Sequence, residues 1–370
     1  MQWALRLTFT KTAMPLALPP EIIDLIVGDL HNEPTTLKAC CLVSKSWVSR
    51  TRRHLFARVN FGCAGSSIDS WMKAFPDPSN SPARYTRSLC IHGFGVVSTN
   101  VCAWIHSFRH VEHLSVNTSV WRRLHGGSLI QLHGLSPTLK SLRLSSFDTP
   151  ISQILCLICS FPLLQDLSLR SAFANDNDKW ASPSTSPKLT GSLLLNDENL
   201  SVTRRLLELP DGLHFSGIRV RCRAEDLDSK TMTDLVSKCS HTLETLSLGL
   251  LNGSHLPPPL DLSGSVRLKC MKFGWAGSGT RWITTTIQTA RSEILQQITI
   301  YLYDTWFVTA EETSREWYEL DGLLVQLWTS RSILPNIVCW NDPKKLVPSL
   351  LPELTRRGFV RDKGGFVMVE

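Results

Sequence analysis

His106, His110 and His113 fall close together, a density of imidazoles that could hold a divalent cation. They read as ordinary surface or core histidines rather than as a metal site. Cys156/Cys159 and the adjacent Cys40–Cys41 lack a second ligand pair at zinc-finger spacing, so they read as buried structural thiols. The glycine-rich run from Gly274 to Gly279 carries no phosphate-binding lysine and reads as a loop. The chain has no G-x-x-x-x-G-K-[ST], no G-x-G-x-x-G after a strand, no H-E-x-x-H and no G-x-S-x-G. No catalytic residue, metal or cofactor is expected. What remains is recognition chemistry. Arg143, Arg170, Arg219, Arg221 and Lys272 recur at spaced positions, and a guanidinium on a rigid surface suits bidentate capture of carboxylate or phosphate.

The chain that must position these cations has 370 residues, 42% of them hydrophobic and 19% charged. It can build a sizeable core, in two or three domains or in one small domain and a repeat array. A net charge of +7 permits an acidic partner without itself indicating nucleic acid. The 11 cysteines, scattered from Cys40 to Cys339, form no disulfide framework, which points to a reducing compartment. The opening MQWALRLTFTKTAMPLA lacks a clean apolar core and does not read as a signal peptide; residues 1–15 read as a flexible tail. No uninterrupted apolar run of about 18 residues occurs, so no membrane span is expected. These features imply a cytoplasmic or nuclear protein, or one present in both.

Residues 18–61 predict two short amphipathic helices and a third, basic one. Pro19 and Pro20 suit a first helical turn, and Glu21 and Asp24 favour its positive end. Ile22, Leu25 and Ile26 keep helical spacing, while Ile23 and Val27 extend the apolar surface to a second face. His31–Pro34 breaks that helix. Thr35 or Thr36 can cap the next, which carries Leu37, Cys40, Cys41 and Leu42, and Ser44 is a plausible cap for the third, with Trp47 on its inner side. Arg50, Arg52, Arg53 and His54 make that third stretch basic. So small a piece cannot hide all of its apolar residues, which suggests a docking module.

Leu18-Pro19-x-Glu21-Ile22, the apolar pairs after it, and Leu42-Val43-Ser44-Lys45-x-Trp47 together resemble the F-box, most closely that of fungal F-box proteins. Ser44 stands where the family often has cysteine. The resemblance covers about 45 of the 370 residues. It implies a three-helix unit that binds the Skp-type adaptor of cullin-RING ubiquitin ligases. Leu18, Pro19, Ile22, Ile26, Leu30, Leu37, Val43 and Trp47 match its adaptor-facing or core positions.

Residues 62–83 are turn-rich and read as a linker, with Trp71, Met72 and Phe75 on one short helix. From residue 84 a phrase of two apolar residues flanking one variable residue recurs nine times. The pairs are Leu89/Ile91, Leu114/Val116, Leu142/Leu144, Leu167/Leu169, Leu193/Leu195, Ile218/Val220, Leu246/Leu248, Met271/Phe273 and Ile298/Ile300. Successive first members lie 25 to 28 residues apart, within the leucine-rich-repeat range. Alternate side chains of each strand face a core, and neighbouring units must stack to bury it. Ile151–Cys159 and Asp234–Cys239 sit where return helices belong. After Ile300 the period lapses: residues 311–330 predict a longer helix, Ile333–Trp340 a last strand and Leu346–Arg357 a final helix ended by Gly358.

The expected architecture is therefore α+β and multidomain. A flexible tail (1–15) precedes a three-helix F-box-like module (16–61) and the linker (62–83). An α/β leucine-rich-repeat-like solenoid (84–310) follows, then a C-terminal capping segment (311–370). On each strand the residue between the paired apolar positions, and the one after the pair, point outward. The five basic residues named above fall in those two columns, and no acidic residue does, which marks the face for an acidic or phosphorylated target. The resemblance implies a non-catalytic, substrate-recognition subunit of a Skp-cullin-F-box ubiquitin ligase. The Skp-type adaptor, cullin through it, and a target protein would be its partners. A repeat scaffold bound to the adaptor without ubiquitination is the alternative. A nucleic-acid-binding repeat protein ranks below both, since the outward columns hold only one aromatic residue, Tyr301.

Overall fold

The computed structural model describes residues 18–62, 68–92, 104–117, 132–135, 137–145, 150–170, 186–196, 200–210, 212–223, 229–251, 258–275, 280–302, 311–340 and 346–363. The expected tail and most of the Gly274–Gly279 run lie outside them. The chain divides into two compact units, Met1–Arg58 and Val59–Glu370.

The first unit is built from helices α1 (Pro20–Asp29), α2 (Pro34–Val43) and α3 (Lys45–Leu55). The break expected over His31–Pro34 is present, since α1 ends at Asp29, and Pro34 itself opens α2, where its missing N–H costs nothing; Glu33 rather than a threonine occupies the cap position. Ser44 caps α3 as its residue type predicts, its Oγ accepting from the Ser46 N–H at 3.3 Å. Ile23, Val27 and Leu37 form a small core, with Leu30, Trp47 and Leu55 packed against it. Polar contacts fix α3 in place. Arg50 pairs with Asp24 and donates to the Pro20 carbonyl at 3.0 Å. Buried Thr51 donates to the Trp47 carbonyl at 2.8 Å and lies 2.9 Å from Cys41 Sγ.

The second unit is a twelve-stranded sheet in which sequence order is spatial order. Its strands are β1 (Arg58–Phe61), β2 (Ser88–His92), β3 (His113–Asn117), β4 (Ser141–Ser145), β5 (Asp166–Arg170), β6 (Ser192–Asn196), β7 (Gly217–Arg223), β8 (Thr245–Leu251), β9 (Cys270–Trp275), β10 (Gln297–Leu302), β11 (Leu334–Trp340) and β12 (Val360–Lys363). Every described pairing from β2 to β12 is parallel. This is a solenoid-like α/β arrangement. The nine apolar pairs occupy β2 to β10 in strict register: Leu142 opposes Leu114 and Leu167, and Leu144 opposes Val116 and Leu169.

Two forces hold that register. The first is burial. The inward columns share one core with α5 (Ile151–Cys159), α6 (Leu200–Leu206), α7 (Ser229–Cys239) and α8 (Arg281–Thr289), which contribute Ile154, Val202, Leu235 and Ile283 among others. The second is a backbone ladder just before the strands. The Arg87 carbonyl accepts from the Glu112 and His113 N–H groups at 2.8 and 3.0 Å, and the Glu112 carbonyl accepts from Lys140 and Ser141 at 2.8 and 2.9 Å. The same double acceptance recurs at Lys140, Gly191, Ser216, Glu244 and Lys269.

The segment expected as a linker carries α4 (Ile68–Ala74) and two short 3-10 turns, Pro78–Asn80 and Pro82–Tyr85. Ile68, Trp71, Met72 and Ala83 pack into the core of the second unit. Gly62, at φ 102°, lies so close to β2 that a Cβ would sit 1.5 Å from the His92 carbonyl oxygen, so only glycine fits there.

At the other end stands a long helix, α9 (Glu311–Arg331). Its Glu316 carboxylate accepts from the Thr280 and Arg281 N–H groups at 2.8 and 3.1 Å, so it caps α8 from outside. Buried Asp321 does the same for the Glu353 and Leu354 N–H groups, both at 3.0 Å. The single final helix expected over Leu346–Arg357 is two short ones, α10 (Leu346–Leu350) and α11 (Pro352–Arg356), because Pro352 starts a new helix. Gly358, at φ 76°, ends α11 and turns the chain into β12, a strand the sequence pattern did not reveal.

Leu144→Ala should destabilise the second unit by about 2–5 kcal/mol, because the side chain is fully buried in mid-column and neighbours on both sides resist collapse into the space left. Urea denaturation measures this. A loss under about 1 kcal/mol would contradict the shared core.

Candidate functional site

Two surfaces carry features that folding alone does not require. The first is on the helical unit. Its small core divides the expected docking residues into two groups. Leu37 is 1% exposed and belongs to the core, and Leu30 and Trp47 pack against it. Leu18, Pro19, Ile22, Ile26 and Val43 are exposed. Leu25 and Leu42 join them, Leu42 at 89% exposure. Neither was among the docking residues expected from the sequence. For Leu25 the signal was present, since positions 18, 22, 25 and 26 recur at helical spacing on the side of α1 away from Ile23 and Val27.

Six of the eleven large apolar side chains left exposed among the described residues therefore lie in this short unit. Scattered exposed leucines need no explanation, but such a concentration marks an interaction surface.

The second surface is the outward face of the sheet. The register places Cys90, Ser115, Arg143, Ser168, Leu194, Arg219, Ser247, Lys272 and Thr299 in one column. His92, Asn117, Ser145, Arg170, Asn196, Arg221, Gly249, Gly274 and Tyr301 form the next. The registers are those expected, but Thr299, 1% exposed, and Gly274 are buried rather than on the surface. A third column was missed. It runs through Ser88, His113, Ser141 and Asp166, and so contains an acid; Asp166 accepts from the Ser192 N–H at 2.6 Å. Arg223, outward on β7, was missed as well. The alternation of Ile218, Val220 and Cys222, one apolar residue longer than the two-residue phrase, was its signal.

Strand β8 presents small groups outward at Thr245, Ser247 and Gly249. Arg219 and Arg221 flank it on β7, and Lys272 on β9. The result is a trough floored by hydroxyls and bare backbone and walled by cations. A cavity of about 380 Å³ lies there, its lining including Leu194, Arg219, Glu244, Thr245, Ser247 and Lys272. Arg219 and Lys272 stand two strands apart, roughly 10 Å between Cα atoms, so their long side chains can meet over Ser247. Arg221 Cγ already lies over Gly249, where an added Cβ would touch it at 3.5 Å.

Charge pairing separates these cations from those at the sheet's rim. At the rim, Glu112 binds Arg87 and Lys140 at 3.0 and 2.9 Å, and Glu244 binds Arg267 and Lys269 at 3.2 and 2.8 Å. The hydrogen bond from Lys140 holds the Glu112 carboxyl below the usual carboxylate range, and the one from Lys269 does so for Glu244. Among the described residues, Arg143, Arg219, Arg221 and Lys272 have no such carboxylate partner. Arg170 differs, being half-buried and already engaged by neighbouring groups.

The other chemical candidates are not assembled into sites. Among the described residues no group of three or more His, Cys, Asp or Glu side chains could hold a metal ion. Burial pushes the Cys159 and Cys239 thiols up to about 11, so neither is a thiolate at neutral pH. Among the described residues no helix is long and apolar enough to cross a membrane. No protein-family model matches the chain, and no curated protein matches its sequence.

If the trough cations serve binding rather than folding, the Arg219→Glu/Arg221→Glu double variant should keep its urea midpoint, with a change within about 1 kcal/mol. A loss above about 2 kcal/mol would assign these side chains to stability instead.

Proposed function

We propose that this chain is the substrate-recognition subunit of a Skp-cullin-F-box type ubiquitin ligase. The helical unit acts as an F-box that docks on the Skp-type adaptor, and the sheet unit acts as a degenerate leucine-rich-repeat solenoid that captures a target. The observation that carries the reading is the exposed apolar set on the helical unit. Its core is already closed by Ile23, Val27 and Leu37, yet Leu18, Ile22, Leu25, Ile26, Leu42 and Val43 remain in solvent. Covering one such side chain stabilises a complex by about 1.5–3 kcal/mol, so a partner that covers several binds firmly.

The cationic trough supports the second half of the reading. Cations that lack internal partners, on a rigid floor of small residues, suit an acidic or phosphorylated segment of a target protein. No bond is made or broken by this chain in such a scheme. Its contribution is proximity: a target held in the complex presents its lysines to the charged conjugating enzyme at high effective concentration.

Leu18→Ala with Pro19→Ala should weaken capture of recombinant Skp-type adaptor roughly a hundredfold while leaving the circular dichroism spectrum unchanged. Undiminished capture by that variant would remove the docking assignment. In cells, co-purification of cullin together with the adaptor is expected; adaptor without cullin would point to the non-ligase scaffold. Arg219→Glu/Arg221→Glu should abolish target capture without affecting adaptor capture. Unchanged target recovery would clear the trough of that role.

A further inference from the structure

We propose that a second cavity in the sheet unit, sharing no residue with the trough, binds a phosphomonoester. Its volume is about 380 Å³, at the small end of ligand pockets. Its polar lining comes from two segments: Ser79, Ser81 and Arg84 from the paired 3-10 turns, and His106, Ser107 and Arg109 from the stretch before β3. Among the described residues no carboxylate lines it. Asp77, next in sequence to this lining, is turned onto its own loop. It accepts from the Ser79 N–H at 2.9 Å, the Ser79 hydroxyl at 2.7 Å and the Asn80 amide at 2.6 Å.

The groups that could grip an anion are held in place before any ligand arrives. The Arg84 guanidinium lies 4.9 Å from the Tyr85 ring centroid and donates to the Tyr85 hydroxyl at 3.0 Å, leaving the rest of its fork for the cavity it lines. Ser81 is only 2% exposed. Its Oγ accepts from the Ala83 N–H at 3.2 Å, so its own O–H remains to be donated. The His106 ring is seated against Gly134, where an added Cβ would lie 2.6 Å from its Cε1. Arg109, already engaged by a neighbouring group, lines the same cavity. The Arg84 fork and a buried hydroxyl donor, with no carboxylate among the described lining, match a tetrahedral dianion, whose oxygens each accept hydrogen bonds. The phosphate is carried either by a small metabolite or by a phosphorylated serine side chain.

Calorimetric titration of the full-length chain tests this, with glycerol 3-phosphate as one probe and a degenerate phosphoserine peptide mixture as the other. Unphosphorylated peptides serve as controls. Binding of the small probe assigns a metabolite; binding of the phosphopeptides alone assigns a modified protein segment. In either case Arg84→Gln should lose roughly tenfold or more in affinity, whereas Arg315→Gln, on the surface of α9, should bind like the parent. Should Arg84→Gln fail to fold by circular dichroism, His106→Gln at its exposed position must weaken binding instead. Binding of neither probe overturns the proposal. So does a signal indifferent to both variants, or a phosphopeptide signal lost only in Arg219→Glu/Arg221→Glu, which belongs to the trough. No ligase component enters the titration, so its outcome is separate from that of adaptor docking.

Discussion

A single repeat of the sheet unit cannot hide its own apolar pair. Leu142 and Leu144 leave the core only if Leu114/Val116 on one side and Leu167/Leu169 on the other also leave. That mutual dependence makes the columns continuous and the stability of each unit largely that of its neighbours. The backbone ladder before the strands acts on the same spacing. In most repeats one carbonyl accepts two amides from the next, so a slip of one residue would break hydrogen bonds and turn the inward leucines to solvent together. Once inward positions are dictated this strictly, the outward ones are free to vary, and that is where Arg143, Arg219, Arg221 and Lys272 stand.

The helical unit obeys the opposite constraint. Three short helices enclose too little volume to take in every apolar side chain they carry. Ile23, Val27 and Leu37 satisfy the core, and the Arg50 and Thr51 contacts hold α3 in position. The apolar residues left outside do not contribute to that fold, so their presence is best explained by a partner. The rim and face of the sheet show a similar division. Glu112 and Glu244 neutralise the cations beside them, while among the described residues no carboxylate does so for Arg219, Arg221 and Lys272.

Much of this was legible in the residues because the signals were periodic. The nine L-x-L phrases determine which side chains share a column, and the strand pairing follows them without a slip. Non-periodic features were harder. Pro34 follows the break that ends α1 and Pro352 divides the final helix expected as one; both open helices, because position within the turn decides what a missing N–H costs. Strand β12 lies beyond the last repeat phrase and pairs only through four residues, Val360–Lys363, where no L-x-L signal exists. Asp166 escaped notice as an outward residue because the strands are longer than the phrase that reveals them. On α1 and α2 the sequence marked an apolar excess without dividing it. Leu37 inside and Leu42 outside differ only in the direction they face around a short helix.

The central claim is that the exposed apolar residues of the helical unit form an interface for a Skp-type adaptor. Hydrogen–deuterium exchange of the full-length chain, with and without purified adaptor, tests it most directly. Slowed exchange concentrated in peptides spanning residues 18–30 and 40–47, with the strands of the sheet unchanged, is the result expected. Unaltered exchange across both segments at saturating adaptor would contradict it.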